Sequence, residues 1–205
     1  GIKPHSRFGV KSTRAEVLFV DYIMEHLKPN GRAGIIVPEG IIFQTGNAYK
    51  TLRKKLVEDC LIGVISLPAG VFQPYSGVKT SILILDKDLH KQSDKILFAK
   101  VDNDGFSLGA QRTVSDKNDL PKISEKFRNF CDLPNDNSDA ISKRIILDSG
   151  EFSLSLSKFQ TVEVTTNFNM VNLGEVVEVL DNKRKPLKKT ERIKGIFPYY
   201  GATGI

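Results

Sequence analysis

The sequence has no tryptophan and only two methionines and two cysteines among its 205 residues. Cys60 and Cys131 lie far apart without close cysteine or histidine partners, which indicates neither a disulfide framework nor a zinc site. The apolar runs reach six or seven residues, far short of the roughly 20 that span a bilayer. No charged-then-apolar leader opens the chain. We therefore expect a soluble, cytoplasmic protein with no membrane contact and no metal site.

Basic residues exceed acidic ones, with 30 Lys and Arg against 24 Asp and Glu and a formal net charge of +6. The excess is concentrated in residues 181–194 (DNKRKPLKKTERIK), which hold seven of the 30. Such a run is usually a solvated surface, and binding to nucleic acid phosphates is the alternative. Composition leaves both interpretations open.

The most informative stretch is residues 61–87 (LIGVISLPAGVFQPYSGVKTSILILDK). Its two apolar runs, 61–67 and 80–85, are rich in Ile, Val and Leu and too short for ordinary helices, which predicts buried strands. The long break between them contains the aromatic residues Phe72 and Tyr75. Long ordered loops at strand ends usually carry function. The alternative is a surface loop whose Phe72 packs into the core beneath it.

Two helices are predicted before this stretch. Thr13 and Glu16 have the spacing of a capping box, and the apolar face that follows them ends near Leu27. Residues 48–59 have the period of a second amphipathic helix, in which we place Arg53 on the outer, solvated face.

The strands and helices together predict an α/β fold. Residues 33–37 form a buried strand between the two helices, so strand, helix and strand make a βαβ unit with parallel strands. Residues 80–85 return after a non-helical loop, which predicts an antiparallel strand. The expected architecture is a sheet with one reversed strand near its edge.

The second half of the chain is patterned more weakly. It predicts a strand at 96–101 and a helix at 119–131. The polar residues 133–139 (LPNDNSD) are typical of a linker. Residues 143–147 and 152–159 are expected to be short strands or extended pieces.

Five strings occur in order within residues 1–100: LKPNGR, AGIIVPEG, LRKKL, LPAGVF and TSILIL. Together they resemble the adenine-specific DNA methyltransferases, most closely the modification subunit of type I restriction systems. The resemblance implies that residues 1–132 are the C-terminal portion of a Rossmann-like methyltransferase domain, with its fifth, sixth and seventh strands. Residues 171–205 resemble the truncated start of a specificity-subunit target-recognition domain, fused to the first through a linker and extended segments at 133–170.

That family transfers a methyl group from S-adenosylmethionine to the amino group of adenine in double-stranded DNA, within a restriction-modification system. Its glycine-rich cofactor turn and its Asn/Asp-Pro-Pro-Tyr/Phe catalytic loop are absent from these residues, and Gly1 resembles the residue just past that loop. We therefore assign no catalytic residue here and expect the 205 residues alone to be inactive. Specificity and restriction subunits or domains are the implied partners. The alternative is a non-catalytic DNA-binding or assembly module.

The resemblance also implies site roles for individual residues. In the family, an aromatic residue after the sixth strand contacts the adenine once it is flipped from the duplex, and Phe72 matches it. An apolar face there would return part of the few kcal/mol lost on unstacking. The other candidates are pocket-lining residues and phosphate contacts, and a purely structural role is the alternative for them. The candidates for pocket lining are Pro38, Glu39, Phe43, Tyr75 and Lys79, and those for DNA phosphate contact are Lys183, Arg184, Lys185, Lys188 and Lys189.

Overall fold

A computed structural model describes residues 5–159, 171–178 and 180 of the chain. The chain divides into two compact units, Gly1–Thr161 and Val162–Ile205. The second unit is described only at residues 171–178 and 180, where a short helix spans Leu173–Val176. The sheet and the candidate site lie in the first unit.

The first unit mixes helices and strands, and its first half contains the two helices and three strands that the sequence predicts. The elements are α1 (Ala15–His26), β1 (Arg32–Pro38), α2 (Gly40–Phe43), α3 (Asn47–Asp59), β2 (Leu61–Ser66), β3 (Thr80–Asp86), α4 (Lys87–Gln92), β4 (Lys95–Lys100), β5 (Asp104–Phe106), β6 (Val114–Asn118), α5 (Leu120–Asp132), β7 (Ala140–Ser142) and α6 (Lys143–Asp148), followed by a 3-10 turn at Leu156–Lys158. Within the described residues, no helix is long and apolar enough to cross a membrane.

Five strands form one sheet in the order β1-β3-β2-β4-β7. β3 runs antiparallel to both β1 and β2, which are therefore parallel to each other, as predicted. They are not neighbours, because the reversed strand β3 lies between them. β4 is parallel to β2, and β7 is a second reversed strand at the opposite edge. The predicted α/β fold with a reversed strand near its edge is confirmed, and β7 adds an antiparallel pair that the sequence does not indicate.

Side chains of β4 alternate between two hydrophobic layers, as expected for a strand covered on both faces. Ile96 and Phe98 join the large cluster formed with α1, α3 and α6, whereas Leu97 and Ala99 pack in clusters on the α5 side. α5 lies close to the sheet because β2 carries a glycine at Gly63. A Cβ at that position would lie 2.0 Å from the Phe127 ring.

Two local predictions are wrong. α1 begins at Ala15 with Arg14 as its N-cap residue, so Thr13 is not at the cap position and no side chain caps the helix. The Glu16 carboxylate instead accepts a hydrogen bond of 2.8 Å from the Tyr49 hydroxyl. Residues 143–147 form most of helix α6 rather than an extended piece. In that helix Ile146 is buried and the adjacent Ile145 is exposed, so the apolar run has only one side of a helix facing the core.

The polar segment 133–139 lies inside the first unit, whose boundary falls after Thr161. Asn135 connects the segment to the end of α4: its Oδ1 accepts from the Asp94 amide at 2.9 Å and its Nδ2 donates to the Gln92 carbonyl at 3.1 Å. Residues 152–159 contain no strand; they are irregular up to the 3-10 turn. The assignment of residues 1–132, 133–170 and 171–205 to functional domains remains a prediction.

Candidate functional site at the carboxyl edge of the sheet

The carboxyl ends of three parallel strands meet at one edge of the sheet. β1 ends at Pro38, β2 at Ser66 and β4 at Lys100, and the antiparallel β3 begins at the same edge. In open α/β sheets, ligands bind outside the carboxyl ends of the strands. A cavity of about 210 Å³ lies here, and its polar lining residues are Glu39, Ser66, Lys79, Ser81, Lys100, Ser155 and Ser157.

Glu39 and Lys79, two predicted pocket residues, are brought together at this cavity. The Lys79 ammonium donates to Glu39 Oε1 at 2.9 Å, and the Ser81 hydroxyl donates to Glu39 Oε2 at 3.1 Å. The Glu39 amide donates in turn to the Lys79 carbonyl at 3.1 Å. Because the ion pair is partly exposed, it contributes little to stability. These bonds fasten the end of β1 to the start of β3.

Residues 67–79, here called the Phe72 loop, connect β2 to β3. The loop turns twice: the Gln73 amide donates to the Gly70 carbonyl at 3.0 Å, and the Tyr75 amide donates to the Phe72 carbonyl at 2.9 Å. Gly70 has φ +88°, a left-handed conformation that favours glycine. The loop is therefore an ordered connection of defined shape.

Val71, and not Phe72, anchors this loop in the core. Val71 packs against the cluster that contains Leu67 and Ile123. The Phe72 side chain is 36% exposed and Tyr75 is 95% exposed. Phe72 thus presents part of its ring to solvent at the carboxyl edge, as a base contact would require.

The remaining predicted pocket residues do not line the cavity. Pro38 is half-buried in β1 and pairs in register with Thr80. Phe43 ends α2 and is 51% exposed, and Tyr75 projects from the loop. Pro38, Phe43 and Tyr75 lie outside the lining of the 210 Å³ cavity.

Arg53 is buried, contrary to the prediction that it lies on the solvated face of α3. Only 1% of it is exposed. Its guanidinium donates to the carbonyl oxygens of Ile41 at 3.1 Å, Glu151 at 2.9 Å and Phe152 at 2.8 Å. Burial lowers the pKa of Arg53 to about 10. The carbonyl oxygens supply the hydrogen bonds that a buried charge needs.

Through these bonds Arg53 holds a segment that closes one side of the cavity. Residues 150–159, here called the strap, are also fixed by the Leu154 amide, which donates to the Ile42 carbonyl at 2.9 Å. Lys50 adds an ion pair of 2.7 Å to Glu151 and thereby lowers the pKa of that carboxyl. The strap residues that line the cavity are Leu154, Ser155, Leu156 and Ser157.

The helical period of α3 indicates that Arg53 is buried. The buried positions of α3 are Tyr49, Leu52, Arg53, Leu56 and Val57, which follow the i, i+3, i+4, i+7, i+8 spacing of a core-facing stripe. A basic residue within that stripe indicates a buried arginine with backbone acceptors. Ser66, Ser81 and Lys100 lie at or next to the ends of their strands, and this position indicates that they could line the cavity.

The basic run lies outside the described residues, so its predicted phosphate contacts remain a prediction. This applies to Lys183, Arg184, Lys185, Lys188 and Lys189. Within residues 5–159, 171–178 and 180, no group of three His, Cys, Asp or Glu side chains could hold a metal ion.

Comparison with known proteins identifies relatives that are similar in sequence to part of this chain. The EcoEI type I restriction enzyme methylase subunit of Escherichia coli is 38% identical over 88 residues, which are 42% of this chain and 18% of that subunit. The EcoKI methylase subunit of Escherichia coli K12 is 34% identical over 77 residues, 37% of this chain and 14% of that subunit. The chain thus matches less than a fifth of the length of either relative.

A solved structure of a type I methyltransferase subunit is also similar to this chain. The methyltransferase subunit of a type I restriction-modification system from Streptococcus thermophilus superposes with a TM-score of 0.56 at 27% identity, covering 75% of this chain and 32% of that one. The N-6 DNA methylase family profile matches residues 4–192, which is most of the chain. With its mixed sheet and its ordered loop between β2 and β3, this chain belongs to the N-6 DNA methylase family.

Proposed function

We propose that the full-length protein transfers a methyl group from S-adenosylmethionine to the exocyclic amino group of adenine in duplex DNA, as the modification component of a type I restriction-modification system. The observation that carries the proposal is the family match over residues 4–192, joined to a partly exposed Phe72 on an ordered loop at the carboxyl edge of the sheet. This chain supplies the part of the enzyme that meets the target base.

The residues of this chain do not fit the cofactor by themselves. No glycine-rich turn follows any of its described strands at the carboxyl edge, where a nucleotide-like ligand would be cradled. Glu39, the acidic residue of the cavity, accepts from Lys79 through one carboxylate oxygen and from Ser81 through the other. We therefore assign the primary cofactor site to another part of the full-length protein.

Phe72 contacts the face of the adenine after the base has left the duplex. Unstacking costs a few kcal/mol, and an aromatic contact returns about 1–3 kcal/mol of it. Tyr75, on the next turn of the Phe72 loop, and Lys79, at its end, contact the neighbouring DNA backbone. Lys79 is suited to this because its ammonium is partly exposed although it is paired with Glu39.

The DNA sequence is read by a target-recognition domain that begins at Val171 and is fused to the methyltransferase part. Its basic run positions phosphates, which sets register, while other contacts read the base edges. Restriction and specificity subunits or domains are the proposed partners, by analogy with the type I methylase subunits that the chain resembles.

The test is adenine methylation by the full-length protein. Plasmid DNA without adenine methylation is incubated with the protein and S-adenosylmethionine, and N6-methyladenine is measured by mass spectrometry, with a cofactor-free reaction as the control. We expect methylation confined to one sequence context. Duplex binding without any methylated adenine would overturn the proposal and favour a non-catalytic DNA-binding module.

A further inference from the structure

We propose that Arg112 is a positioning residue that holds the Phe72 loop in the conformation in which Phe72 meets the flipped base. The inference rests on the proposed function of Phe72. It assigns a role to the β5–β6 hairpin, which lies outside the main sheet.

Arg112 is bonded to the two residues that immediately precede Phe72. Its Nη1 donates to the carbonyl oxygens of Gly70 at 3.2 Å and Val71 at 2.9 Å. The Val71 carbonyl belongs to the peptide that joins Val71 to Phe72, and the Gly70 carbonyl belongs to the peptide before it. The two bonds therefore hold the backbone from which the Phe72 side chain projects. The hydrogen bonds are charge-assisted, which makes them stronger than neutral ones.

The other side of the guanidinium is held by the hairpin itself. Nη2 forms an ion pair with the Asp104 carboxylate, and Cζ lies 5.4 Å from the centre of the Phe106 ring. The Arg112 and Asp104 side chains are largely buried, at 19% and 9% exposure. The planar Arg112 guanidinium is already held by Asp104 and Phe106, so its side chain loses little further conformational entropy when it bonds to the Phe72 loop.

Hydrogen bonds connect the start of the hairpin to the start of α5. The Asp119 carboxylate, at the start of α5, accepts from the Asp102 amide at 2.9 Å and the Asn103 amide at 2.7 Å. These two bonds lower the pKa of Asp119. The hairpin loop also closely approaches the Phe72 loop, since a Cβ on Gly70 would lie 3.4 Å from the Leu108 carbonyl oxygen. A continuous set of contacts thus connects α5 to Phe72.

The test is a double-mutant cycle in the full-length methyltransferase, using Arg112→Ala, Phe72→Ala and the double variant. The measured quantities are the single-turnover methylation rate at saturating DNA and cofactor, and the duplex dissociation constant. We expect Arg112→Ala to slow methylation roughly ten- to a hundredfold, as a misplaced contact does. The duplex dissociation constant should change little.

In the Phe72→Ala background the same Arg112 substitution should slow methylation by less than about threefold, because residues acting through one another are not additive. Equal losses in both backgrounds would overturn the positioning role while leaving Phe72 as the base contact. No effect of Phe72→Ala alone would instead overturn the proposed role of Phe72 as the base contact, on which this inference rests. The two failures are therefore distinguishable.

Arg112→Lys keeps the positive charge beside Asp104 but removes the planar guanidinium. It replaces Arg112→Ala in the cycle if Arg112→Ala does not fold. It should give an intermediate rate and the same coupling to Phe72, and additivity in this variant would count equally against the proposal. Arg32→Ala is the matched control, since Arg32 also pairs with a carboxylate, Asp86, but at the opposite end of β1. Its methylation rate should stay within about twofold of wild type, because Arg32 is exposed and the buried Asp86 keeps its hydrogen bonds from the Asp88 and Leu89 amides.

Discussion

Arg53 Nε lies 2.8 Å from the carbonyl oxygen of Phe152, so a guanidinium buried in the core stripe of α3 holds the strap 99 residues further along the chain. Phe152 has φ +51°, a conformation that non-glycine residues seldom adopt. The bonds to Phe152 and Glu151 help the strap to keep this shape. One wall of the carboxyl-edge cavity therefore depends on a residue that does not line it.

We predict that Arg53→Met lowers the unfolding free energy of the full-length protein by at least about 3 kcal/mol, because three buried carbonyls lose a charged donor. Urea or thermal unfolding measures the change. Lys54→Met, at the adjacent exposed position, should stay within about 0.5 kcal/mol of wild type. Equal stability of the two variants would show that the strap does not need Arg53.

Lys143 predicts a specific pH dependence. Its ammonium donates to the His90 carbonyl at 2.6 Å, and burial lowers its pKa to about 8. The unfolded lysine has a pKa of about 10.4, so between these values the unfolded state binds more protons and stability rises with pH. Below about pH 8 both states are charged, and Lys143 contributes no slope.

The unfolding free energy of wild type minus that of Lys143→Met should therefore increase between about pH 8 and about pH 10.4 and be flat below that window. Urea unfolding at a series of pH values measures this difference. Lys91→Met, at an exposed position, controls for the loss of one positive charge. A difference that is flat or falls across the window would contradict the prediction.

The basic run predicts a salt effect on DNA binding. Replacing Lys183, Lys185 and Lys188 by Ala should weaken duplex binding for all sequences alike and flatten the salt dependence by about one unit of slope per lost phosphate contact. Binding isotherms at several salt concentrations measure the slope. A triple Ala variant of the exposed lysines 54, 91 and 122 is the matched control. An unchanged slope in the first variant would leave the run as a solvated surface.

Much of the fold follows from local sequence patterns. The apolar runs of β1, β2 and β3 are bounded by Gly, Pro and polar residues, and so their positions are predicted to within one or two residues. Short apolar runs are ambiguous, however. The run around Ile146 forms a helix because its position between β7 and the strap, which the pattern does not record, places one helical side on the core.

The site could be predicted only where its residues are close in sequence. The Phe72 loop is bounded by the strands on either side of it, and its composition indicates an ordered loop. Arg53 and Arg112 were missed because most of their acceptors are distant in sequence: two of the three Arg53 acceptors lie about 100 residues away, and the Gly70 and Val71 carbonyls lie about 40 residues from Arg112. Charged residues are usually solvated, which makes a buried guanidinium hard to predict unless the helical stripe is followed strictly.

The most direct test of the central claim is Phe72→Ala in the full-length protein, with adenine methylation, cofactor affinity and unfolding free energy measured together. Phe19→Ala, which removes an exposed aromatic from α1, is the control. We predict that Phe72→Ala slows methylation by the equivalent of about 1–3 kcal/mol of lost stacking, with cofactor affinity and stability nearly unchanged. A stability loss of about 3–5 kcal/mol, as for a truncated core aromatic, would contradict the account and make Phe72 a packing residue.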